Sequence, residues 1–399
     1  METAKRSDVY YDPYDVDIIT DPYPVYRRMR EEAPLYYNEV HDFYAVTRAE
    51  DVERVLLDNT TFISGRGGIL ELIRAGIELP PGVFIFEDPP AHTIHRRLMS
   101  RVFSPRRVAE LEDKVRRFCV QCLDPLVGID RFDIIAHLGA QVPMKTISML
   151  LGIPESDQEA IRDHADANLR TEAGKPMEVS GEGLLSGQVF ADYVDWRTDH
   201  PSDDLMTDLL QAEFVDETGT TRRLGRQELL TYLEVISGAG NETTNRLIGW
   251  TAKVLAEHPD QRRQVVEDRS LIPSAIEEIL RFEPPAHHTA RVTSGEVEIR
   301  QQRLSENSVI MVLVGSANRD DRRYPDGDRF DIHRKDGPTL TFGQGIHFCL
   351  GAALARLEGR IVLDELLHRF PEWDVDLAGA SLSPTSTVRG WQTLPVVLA

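Results

Sequence analysis

A lone cysteine, Cys349, stands in the run Phe342-Gly343-Gln344-Gly345-Ile346-His347-Phe348-Cys349-Leu350-Gly351, directly before the strong helix formers of residues 352–358. A thiolate so placed can bind a metal. Glycines at 343, 345 and 351 remove side chains where the backbone must turn tightly and approach a bulky planar group, leaving N–H groups free to face the sulfur. Such bonds, together with the positive end of a helix, favour the anion and tune its donor strength. Read alone, the loop also fits a buried structural cysteine. A second group of reactive types, Gly238-Ala239-Gly240-Asn241-Glu242-Thr243-Thr244, lies midway along the longest helical pattern. Two glycines and a competing threonine predict a bulge or kink there. Glu278 and Arg281 are spaced to pair on one helix face, and His92 and Arg96 stand four apart at the start of another.

The cysteine run resembles the haem-binding signature of the cytochrome P450 family, F-G-x-G-x-H-x-C-x-G followed by a helix carrying L-A-R. Every fixed position is filled. The resemblance implies that Cys349 is the axial thiolate of haem b, that Phe342, Gly343 and Gly351 shape its cradle, and that His347 reaches a propionate. Sulfur ligation implies oxygen activation, because an electron-rich thiolate favours O–O cleavage. Ala239, Gly240, Glu242 and Thr243 match the family's A/G-G-x-D/E-T, which lies over the haem. Splitting dioxygen needs two protons, so Glu242 and Thr243 are the expected catalytic acid and alcohol. By the same resemblance His92, Arg96 and Arg291 hold propionates. Glu278 and Arg281 then form a structural ion pair, with Arg329 as its third member. The substrate pocket is expected at Phe84, Ala239, Ala286, His287 and His288, where either histidine can orient a polar group or simply be bonded elsewhere.

These residues require long elements to carry them. Helical patterns cover 22–32, 49–57, 91–103, 105–123, 226–257, 273–282 and 350–369, with strand-like pieces at 43–47 and 308–314. The expected fold is mainly α with small β-sheets, a single P450 domain over residues 1–399. No linker, repeat or low-complexity block divides it. Cys119 and Cys122 make a C-x-x-C that lacks further ligands, and a packed helical pair is expected.

The net charge is −21, from 45 basic and 66 acidic residues, which disfavours nucleic acid and anionic membranes. No apolar run is long enough to span a bilayer and the first residues lack a signal-peptide pattern, so a cytoplasmic protein without a membrane anchor is expected. Against that acidity, Arg96, Arg97, Arg101, Arg106 and Arg107 follow one another with no acid between them. The family resemblance places them near the proximal face, where they suit an acidic ferredoxin. No flavin or reductase region is evident, so ferredoxin and ferredoxin reductase are expected as separate proteins. The activity implied is that of a monomeric monooxygenase, placing one atom of O2 in a lipophilic steroid, terpenoid, fatty-acyl or polyketide. A peroxide-driven enzyme and a non-catalytic haem sensor are the alternatives.

Overall fold

Arg226–Glu257 threads the centre of the protein because its apolar residues occupy every side of the helix rather than one stripe. Leu229, Leu233, Leu247, Ile248 and Trp250 are all buried. Its start is set by Glu228, whose carboxylate accepts the Gly225 N–H at 2.7 Å. The computed structural model describes residues 8–100, 103–179 and 186–398. Helices Gln158–Leu169, Val142–Leu151 and Ala352–Arg369 pack against the central one, and Ile272–Phe282 and Glu112–Leu123 flank Ala352–Arg369.

The mainly α expectation is met, with small sheets added. The largest has five strands in the order Leu35–Asn38, Phe43–Val46, Val309–Val312, Thr289–Thr293, Phe62–Ile63. Ile310 pairs in parallel with Tyr44 and antiparallel with Arg291. That register delivers Arg291 and the segment before it to the edge of the central cavity. Trp373–Val375, Pro395–Leu398 and Arg131–Asp133 form a second sheet.

Two helical expectations change. The span 105–123 is two helices, Pro105–Ala109 and Glu112–Leu123, parted by a tight turn in which the Leu111 N–H donates to Val108 O at 3.0 Å. The helix expected over 91–103 is present as Ala91–Ser100, and residues 101–102 of that expectation lie outside the described residues. The central helix runs as unbroken α-helix past Gly238 and Gly240. A Cβ at Gly240 would come within 2.5 Å of Ile147 Cδ1, so that side chain would have to move to admit one. Cys119 is buried and Cys122 half-buried on Glu112–Leu123, both thiols pushed up by burial.

Candidate active site

The loop that carries Cys349 is closed by its own backbone. The Cys349 N–H donates to Phe342 O at 2.8 Å and the Gly343 N–H to Leu340 O at 2.8 Å. Gly343 and Gly345 adopt φ of 68° and 67°, the left-handed region that favours glycine. At Gly345 a side chain would also meet Leu56 O at 2.9 Å. Gly351 caps Ala352–Arg369, and the space beside its Cα is open to the cavity. Burial pushes the Cys349 thiol up, while the N–H groups of Gly351 and Ala352 and the charges of Arg96 and Arg356 pull it down. Arg356 sits over the Phe342 ring at 4.4 Å and is braced by Glu277 at 3.0 Å.

The thiol opens into a large, mainly apolar cavity. Gly351, Leu354, Ala355 and Glu358 lie on the cysteine side, and Ala239, Gly240, Thr243 and Thr244 face them from the central helix. At one rim His92, Arg96, Arg291 and His347 converge. Both nitrogens of His92 and Nε2 of His347 are buried without a partner, and the two rings stand 4.3 Å apart. Burial lowers Arg291 to about 10 and His347 to about 3, the latter also repelled by Arg291. Arg96 donates to Phe348 O, and Arg291 to Ala290 O at 2.7 Å. Among the described residues neither guanidinium forms an ion pair with a carboxylate. A buried and a half-buried guanidinium beside His92 and Nε2 of His347 suit an anionic rim, and the glycine-lined slot suits a flat group.

Thr243 and Glu242 sit on different sides of the central helix. The Thr243 hydroxyl faces the large cavity and donates to Ala239 O at 2.8 Å. Glu242 is buried on a second, more polar cavity and is paired with Arg246. Arg246 also donates to Ser383 Oγ at 3.0 Å and to Trp391 O.

Phe84, Ala286 and His288 line the large cavity, Phe84 stacking on Tyr232 at 5.4 Å. His287 does not line it. Its ring lies 5.8 Å from Tyr23 and 6.1 Å from Tyr26, with both nitrogens buried and unpartnered, because neighbouring residues in an extended segment point opposite ways. Burial also lowers the pKa of His288, opposed by Glu71 of the short helix Leu70–Ala75 and by a backbone bond to Ser386.

Glu278 and Arg281 form the expected buried pair, with two contacts of 2.7 Å. The third cation differs from the expectation. Arg329 turns outward to Asp331 at 2.7 Å and contributes only its carbonyl, whereas Arg334 reaches Glu278 at 3.3 Å from a buried position. A signal was present in the sequence, since Arg334 lies a few residues on, but nothing local distinguishes the two arginines.

A flat dianionic cofactor ligated through sulfur would satisfy both halves of the large cavity, and that chemistry defines a haem-thiolate protein. Residues 189–386 match the family model described as Cytochrome P450. Over 390 residues the chain is 37% identical to putative cytochrome P450 123 of Mycobacterium tuberculosis, covering 96% of each. The chain belongs to the cytochrome P450 family, whose members here are monooxygenases carrying haem b. It is also similar to a mutant of P450 EryK in complex with erythromycin B, at TM-score 0.86 and 30% identity over 98% of both chains. Another similar structure is CYP109E1 of Bacillus megaterium in complex with testosterone, at TM-score 0.85 and 28% identity, covering 96% of this chain and 99% of that one.

Proposed function

We propose that this monooxygenase oxidises a lipophilic small molecule of steroid, terpenoid, fatty-acyl or polyketide type, using electrons from a separate ferredoxin. The observation that carries the substrate class is the lining of the large cavity, where Phe84, Ile85, Val235, Ile236 and Val314 surround few polar groups on the side remote from the haem rim. His288 supplies one fixed polar contact on that side. The two similar proteins bound to erythromycin B and testosterone support a bulky, mostly apolar ligand.

The residues divide the work by position. Haem, when bound, supplies oxygen activation, and Cys349 supplies its electron-rich ligand. His92, Arg96, Arg291 and His347 neutralise and orient the propionates. Thr243 presents a hydroxyl above the haem side of the cavity, while Glu242 holds a carboxylate behind it, ready to pass protons inward. Apolar walls keep bulk water from the substrate.

For the electron donor, the support is the exposed basic stretch ahead of Glu112–Leu123. Arg97 is exposed, and Arg106 is exposed with a loose 3.5 Å pairing to Glu110. Arg107 is tied to Asp208 at 2.8 Å, and Arg101 lies outside the described residues. Titration of the purified ferric protein with a panel of steroids, terpenes, fatty acids and macrolides tests the substrate reading. A saturable high-spin shift of the Soret band with one class supports it; a response only to small polar ligands overturns it.

A further inference from the structure

The short turn Phe84–Phe86 puts three apolar side chains on the large cavity, and its place is set from behind by a histidine outside the cavity lining. Glu87 ends the turn. Its Oε1 accepts the Gly82 N–H at 3.0 Å, closing the loop on itself, and its Oε2 lies 2.6 Å from Nδ1 of His95. A carboxylate only accepts hydrogen bonds, so Nδ1 carries the proton and donates. Both side chains are largely withdrawn from water, where a hydrogen bond to a charged acceptor is strong and directional.

His95 belongs to Ala91–Ser100, the helix that also brings His92 and Arg96 to the haem rim. Its ring stands edge-on to Tyr232 of the central helix at 5.7 Å and to Phe214 of Glu213–Val215 at 6.2 Å. Tyr232 in turn stacks on Phe84. A single imidazole thus joins the turn, the haem-rim helix and the central helix.

We propose that Glu87 and His95 are positioning residues for substrate: their hydrogen bond fixes the Phe84–Phe86 wall and thereby sets how strongly the cavity prefers a bulky apolar ligand to a small one. The proposal rests on the lipophilic-substrate reading and names the pair behind its selectivity. A wall already in place offers its surface at no ordering cost. A loosened wall must be ordered by the ligand, a penalty that falls on bulky ligands that reach it and spares small ones.

The other anchors of the turn do not replace this bond. Asp88 accepts from the Ser64 and Gly65 N–H groups at 2.9 and 2.7 Å, which ties the chain after the wall, and the Phe86 ring lies against Gly68 with no room for a Cβ there. Stacking on Tyr232 orients the Phe84 ring without tying the backbone. Because Asp88 keeps its contacts, loss of the Glu87–His95 bond frees the wall and leaves the start of the haem-rim helix attached.

Titration of the ferric holoprotein with imidazole and with 4-phenylimidazole tests this without the natural substrate. Both probes bind iron through nitrogen and shift the Soret band, and only the second carries a ring to lie against the wall. His95→Leu keeps apolar bulk beside Tyr232 and Phe214 but donates nothing. It should lower the preference for the phenyl probe about tenfold, with the Kd of imidazole held within about twofold. His95→Asn donates from its amide close to the place of Nδ1 and should restore most of the preference. Glu87→Leu removes the acceptor from the loop side and should match His95→Leu, which also covers a His95→Leu protein that takes up no haem. The double variant should lose no more than either single one.

An unchanged preference in the leucine variants overturns the positioning role. Equal weakening of both probes also overturns it, because the whole haem-rim helix has then shifted. A loss in His95→Asn as deep as in His95→Leu assigns the effect to ring packing and overturns the hydrogen bond. Wild type binding both probes alike refutes the bulky-ligand reading itself, whereas a wild type that discriminates, with variants that discriminate equally, refutes only the roles of Glu87 and His95.

Discussion

Cys349 is surrounded by protein yet faces the large cavity, and its environment both resists and invites ionisation. Burial alone would keep it a thiol, so the N–H groups of Gly351 and Ala352 and the charges of Arg96 and Arg356 serve to stabilise the anion that iron requires. Cys349→Ser should abolish the thiolate signature in the reduced carbon-monoxide spectrum, with the fold retained by circular dichroism. Thr243→Ala should leave the substrate-induced spin shift in place while product per NADPH falls roughly tenfold, the lost electrons appearing as peroxide. Turnover of that variant at the wild-type ratio would remove Thr243 from the proton path. Turnover of wild type with peroxide alone, as fast as with a ferredoxin, would favour a peroxide-driven enzyme. His288→Phe should weaken binding of a hydroxylated or keto-bearing ligand more than that of its hydrocarbon analogue, measured by the same spin shift. At this scale the sequence was most readable where chemistry is local. Cys349, Gly343 and Gly345 are specified by their own loop. The outward turn of His287 and the choice of Arg334 over Arg329 depend on segments that meet only after folding.

Each long element serves as a wall, and its residues acquire roles from what lies on either side. The central helix was legible over its whole length because thirty or so residues of uniform pattern leave little ambiguity. Its two-sided function was not legible, since adjacent residues such as Glu242 and Thr243 read as one constellation until the cavities are seen. The expected bulge does not interrupt it: the α-helix runs through Gly238 and Gly240, where a side chain at Gly240 would press on Ile147. Helix Ile272–Phe282 anchors the opposite wall through Glu278, which accepts from Arg281, Arg334 and the Asp331 N–H. Glu278→Gln leaves two buried guanidinium groups facing a neutral partner. Breaking such a pair should cost about 3 kcal/mol or more. Urea unfolding of the holoprotein measures it, and a loss below about 1 kcal/mol would mean that carbonyls at Asn318, Gly327 and Arg329 already satisfy Arg281.

At the scale of the whole molecule the charge of −21 works against an acidic electron donor. Two acidic proteins repel at long range, and attraction through Arg97 and Arg106 acts only near contact. Salt separates these effects, because the Debye length falls from about 30 Å at 0.01 M to about 8 Å at physiological ionic strength. Raising salt from very low values should therefore first speed reduction by an acidic ferredoxin, as the global repulsion is screened. Further salt should slow it, as the local contacts weaken in turn. Stopped-flow reduction at graded ionic strength should show this maximum. Arg106→Glu removes a cation with little packing, since its side chain is 92% exposed. It should raise the apparent KM for the ferredoxin several-fold, leave the substrate spin shift unchanged, and convert the maximum into a steady rise with salt, because only repulsion is then left to screen. A variant that keeps the maximum would place the docking surface away from Arg106.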